Sequence, residues 1–134
     1  MLPISVDTIR LFLHVLGATI WVGGQITMLW LLKTVKAQGE AAPQAVASRF
    51  NNLAWGGLAL LIATGIWHIF AINVGSRTIE WQVTFALKLA FVAISAIGVG
   101  WHIYGRSKVA LAVGGTLGFV FAIVALFYGI LLHG

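Results

Sequence analysis

Lys88 lies inside an apolar run and is the only charged residue between Glu80 and Arg106. A charge within a membrane helix is costly unless it has a partner, a cavity or a function, so such a residue is a functional candidate. Two histidines, His14 and His68, fall at a similar depth in other apolar runs. At 1.5 Å per helical residue, His14 lies roughly 5–9 Å, His68 roughly 8 Å and Lys88 roughly 9 Å beneath one expected membrane boundary. Imidazole nitrogens bind iron, copper and zinc, and a desolvated lysine gives up its proton more readily. Two imidazoles and an amine in one layer therefore point to metal or cofactor binding. Each also has a plainer reading: a histidine bonded to a neighbouring carbonyl, or a lysine whose stem carries its ammonium to the interface.

These residues need helices to hold them. About 20 mostly apolar residues span a bilayer. The runs 11–32, 50–76 and 109–134 carry no Asp, Glu, Lys or Arg, and 81–105 carries only Lys88. The chain of 134 residues is 60% hydrophobic and 8% charged, against about 25% charged in soluble domains. None of the runs alternates polar and apolar residues as β-barrel strands do. The expected fold is all-α: a single integral membrane domain over 1–134, an antiparallel four-helix bundle with helices at about 9–32, 51–73, 82–104 and 109–132. The first run is longer than a signal-peptide core, and Asp7 offsets Arg10 before it, so cleavage is not expected. Pro3 and Pro43 lie outside the spans, so no proline kinks are expected. The 33–49 connection, with Gly39 and Pro43, should include a helical stretch.

The formal charge of +5 comes mostly from connections between helices. Lys33, Lys36, Arg49, Arg106 and Lys108, with Glu40, sum to +4, whereas Asp7, Arg10, Arg77 and Glu80 sum to zero. Basic residues collect in short cytoplasmic loops. Connections 33–49 and 105–108 are thus expected in the cytoplasm of a bacterial-type cell, with both termini outside. The charge is a topology signal, and no nucleic-acid partner is expected. Without cysteine there is no disulfide, thiolate metal site or covalent c-type haem.

Helical spacing aligns the polar candidates. His14, Gly17, Trp21, Gln25 and Met28 form one stripe, Thr64, Gly65 and His68 a second, and Thr84, Lys88, Ser95 and His102 a third. Polar residues in membrane helices face the bundle interior. Paired glycines towards the cytoplasmic ends of the helices predict tight packing there and a wider outer half. The clearest use of His14 and His68 on neighbouring antiparallel helices is axial ligation of haem b. Gly17 and Gly65 would admit the macrocycle, and Trp21 would line it. Lys88 is either an alternative ligand or a partner for a propionate. Electron transfer is the expected role, alone, as a homo-oligomer or as a subunit of a larger membrane redox complex. Copper is the competing metal. Cu(I) prefers sulfur ligands, and the only sulfur is in Met1 and Met28. A purely structural accessory subunit is another alternative. His102 and His133 are expected at the helix ends.

The string from His14 through Gly17 and Trp21 to Gly23-Gly24 resembles the first-helix signature of the CopD (copper resistance D) family. Leu87-Lys88-Leu89-Ala90-Phe91-Val92 on the third helix resembles that family too. The resemblance implies copper as cargo. The small membrane protoporphyrinogen oxidases are also similar, with a first-helix His followed by Trp and a third-helix Lys. That second resemblance implies haem b and a porphyrin-oxidising enzyme, with His14 and Lys88 as the functional pair.

Overall fold

The computed structural model describes residues 2–134; Met1 lies outside them. The fold is all-α, with four long helices: α1 (Val6–Lys36), α2 (Ala42–Ala71), α3 (Ile79–Tyr104) and α4 (Ala110–Leu131). All four are long and apolar enough to cross a membrane. Apolar side chains on their surfaces, such as Phe70 at 86% exposure and Ile97 at 71%, would aggregate in water. The chain is an integral membrane protein.

Side-chain chemistry explains where the helices begin. The Ser5 hydroxyl accepts from the Thr8 N–H at 3.1 Å, and Thr78 accepts from the Trp81 N–H at 3.3 Å. Asp7 and Glu80 then sit in first turns, where a negative charge complements the helix dipole. α2 begins nine residues before the expected position. Pro43 is in its first turn, where the fixed φ of proline is already helical and its missing N–H costs nothing. The polar stretch 44–52 is thus an extension of the span. The connection before it turns at Gly39, whose φ of +129° disfavours any residue with a side chain.

The chain divides into two compact units, the first ending at Asn73 and the second being Val74–Gly134. In the first, α1 and α2 pack antiparallel. Gly17 is buried where the helices cross: a Cβ there would lie 3.0 Å from both the Gly57 carbonyl and Leu61 Cγ. Further along, the Trp21 and Trp55 rings pack with centroids 5.7 Å apart, and Gly24 faces Phe50. In the second unit, α3 and α4 are also antiparallel. The fully buried Ser95 hydroxyl donates to the Gly118 carbonyl at 2.7 Å. At the two ends of the pair, Trp81 donates to the Leu132 carbonyl, and His102 Nδ1–H donates to that of Leu111.

A π-helical turn interrupts α1 at Thr19–Gly23, and another opens α4 at Ala110–Gly114. Such a turn holds more residues than an α-turn and rotates the faces beyond it. Beyond the turn in α1, Gly24 meets Phe50 of α2, and the Gln25 amide donates to the Trp21 carbonyl of its own helix at 3.0 Å.

Candidate functional site

His14 anchors the site in the first unit. Its Nδ1 lies 2.8 Å from Thr64 Oγ1. The single hydroxyl proton of Thr64 is directed at backbone carbonyls of α2, Leu60 at 2.7 Å and Leu61 at 3.2 Å. Thr64 therefore accepts at the other contact and His14 Nδ1–H donates, which puts the lone pair of the neutral ring on Nε2. Thr64 is 2% exposed, so water does not compete for this bond. Gly65 lies beside the ring, 3.8 Å separating His14 Cε1 from the position of a Cβ. A metal-ligating histidine is commonly fixed in this way, one nitrogen held by an oxygen so that the other presents its lone pair.

His68 lies one turn beyond Thr64, on the side of α2 that faces α1. Both histidines therefore belong to one helix pair. His14 bonds Thr64 directly, and one turn away Gly17 touches Gly57 and Leu61.

The other expected residues have distinct places. Gly17 makes the helix crossing, and its open side is taken by α2. Trp21 is buried against Trp55, seven residues from His14. Among the described residues, no group of three or more His, Asp or Glu could hold a metal ion, so a bare ion here would rest on the two imidazoles.

Lys88 belongs to the second unit, where its tip rests on α4. The Ser95–Gly118 bond sets the register, and seven residues along each helix bring Lys88 opposite Ala125. Its Nζ nevertheless lies 3.4 Å from the Cβ position of Gly129, one turn nearer the Ile79 and Leu131 ends. Side chains on a helix tilt towards its N-terminus, and this lean is the one by which lysine reaches a membrane boundary. Gly129→Leu should displace the ammonium and lower stability by about 1–3 kcal/mol, as overpacking does. Gly129→Ala, whose methyl would just touch Nζ, should be tolerated. Thermal unfolding in detergent measures both.

His102 and His133 are helix-end residues, as expected. His133 Nδ1–H donates to the Gly129 carbonyl at 2.8 Å, and His102 Nδ1–H bonds the Leu111 carbonyl, inside the π turn of α4, at 2.7 Å. The sequence reading missed Arg10. It was assigned to the flanking charges, yet it is only 7% exposed and lies one turn from His14 on the same stripe. The signal available was its spacing of four from His14.

No family profile, no curated protein and no solved structure matches the chain.

Proposed function

We propose that this is a membrane b-type cytochrome-like protein in which His14 Nε2 is an axial ligand of haem b. The observation that supports this reading is the Thr64 hydroxyl holding Nδ1–H. When bound, the haem would supply one-electron transfer between ferric and ferrous iron. The residues present fit it through imidazole nitrogen, with Gly65 beside the His14 ring offering little bulk. Thr64 fixes the tautomer and the ring plane, and the apolar surroundings limit water and help set the potential. His68, one turn beyond Thr64 on the same helix, would be the second ligand. The proposed role is electron transfer, as a subunit of a larger membrane redox complex or as a homo-oligomer.

A second reading is CopD-like copper handling. The observation that favours it is the His14–Thr64 bond, which brings His14 to within a turn of His68 along α2, so that two imidazoles lie in one helix pair for a small ion. The absorption spectrum of detergent-purified protein separates the two. A Soret band supports haem, and copper content without a Soret band supports the second reading.

The proposed topology has connections 33–49 and 105–108 in the cytoplasm. Cysteines introduced at Gln38 and Ser76 should react with an impermeant thiol reagent from opposite sides of intact cells. Reaction of both from one side would overturn the charge argument.

A further inference from the structure

Arg10 is buried, and its side chain is 8% exposed. Its Nη1 lies 2.9 Å from Asp7 Oδ1, but that carboxylate is 78% exposed. An ion pair with so exposed a partner contributes little and exchanges readily. Nε is also buried, and no acceptor among the described residues reaches it. A buried guanidinium N–H without an acceptor is a substantial cost, and Nε lies on an edge that carboxylates and phosphates engage with two parallel bonds. The antiparallel register that sets His14 against Thr64 brings Arg10, one turn earlier, to the level of His68, one turn later.

We infer that Arg10 is the receptor for an oxyanion, a carboxylate or a phosphate, at the histidine end of the α1–α2 pair, with Asp7 as the competing internal anion. The anion's source rests in part on the proposed function. With haem bound it is a propionate carboxylate; otherwise it is the phosphate of an anionic lipid.

The test uses the full chain in detergent, titrated with haem b and with its dimethyl ester, which has no free carboxylate. Retention of phosphatidylglycerol over phosphatidylcholine is followed in parallel by native mass spectrometry. If the anion is a propionate, wild type should prefer haem b by roughly tenfold or more, the scale of a charge-assisted pair. Arg10→Gln should erase that preference by weakening haem b alone, and Arg10→Lys should keep part of it. If the anion is a lipid phosphate, wild type should retain phosphatidylglycerol and Arg10→Gln should lose it. Complete absence of haem binding would sink the haem reading while leaving this lipid arm intact. Asp7→Asn covers the case in which Arg10→Gln fails to fold: removing the competing carboxylate should strengthen binding in whichever arm is active. Unchanged haem discrimination and unchanged lipid retention in Arg10→Gln would overturn the inference, as would an Asp7→Asn variant that binds no more tightly.

Discussion

His14→Ala should abolish the Soret band of the purified protein, because the alanine leaves no nitrogen to bind iron. Thr64→Val is the more discriminating variant. It keeps the shape and burial of the side chain but removes the acceptor that holds His14 Nδ1–H. The ring is then free to rotate and to change tautomer, and haem affinity should fall about 10–100-fold, the usual effect of losing an outer-shell partner. The axial-ligand signature should broaden as well. His102→Ala should leave the spectrum intact and lower stability by about 1 kcal/mol, through the lost bond to the Leu111 carbonyl. A wild-type spectrum and affinity for His14→Ala would sink the ligation model. Wild-type affinity for Thr64→Val would remove the tautomer argument on which the reading rests.

The largest stability effect is expected from Gly98→Ala. A Cβ there would come 2.6 Å from the Gly118 nitrogen and 2.9 Å from the Gly114 carbonyl oxygen. Both are backbone atoms of α4 and have no rotamer to change, so the helices must separate. The loss should be at least about 1–3 kcal/mol, the cost of overpacking a tight contact, and should be visible as a lowered unfolding midpoint in detergent. Gly56→Ala should do the reverse. Nothing lies within 4 Å of a Cβ at that position, so the better helix propensity of alanine, up to about 1 kcal/mol, is gained without a clash. Equal effects at the two positions would show that α3 and α4 do not pack as described.

The contrast between these glycines shows what was legible beforehand. Gly56 and Gly57 are adjacent and identical in type, yet one faces open space and the other would collide with Ile20. Gly17, a candidate for cofactor clearance, is where α2 crosses α1. A glycine advertises only that something is allowed to come close. What comes close depends on how far one helix is shifted along the other, and a shift by one turn preserves the pattern of polar and apolar residues while exchanging every partner.

Length and hydropathy alone determined the four spans and the all-α class. In lipid the backbone must satisfy its own hydrogen bonds, and an apolar run of that length does so as a helix. Helical spacing also put Thr64, Gly65 and His68 on one face, which is the face His14 meets. Only the tertiary structure decided the register that makes Thr64 the acceptor for His14. It also decided the close crossing at Gly17 and the contact of Gly24 with Phe50. The burial of Arg10 was settled in the same way. Such features follow from close packing between segments some fifty residues apart, such as His14 and Thr64. Small shifts in that packing cost little in burial but change which atoms meet, so they leave no mark on the periodicity of either helix.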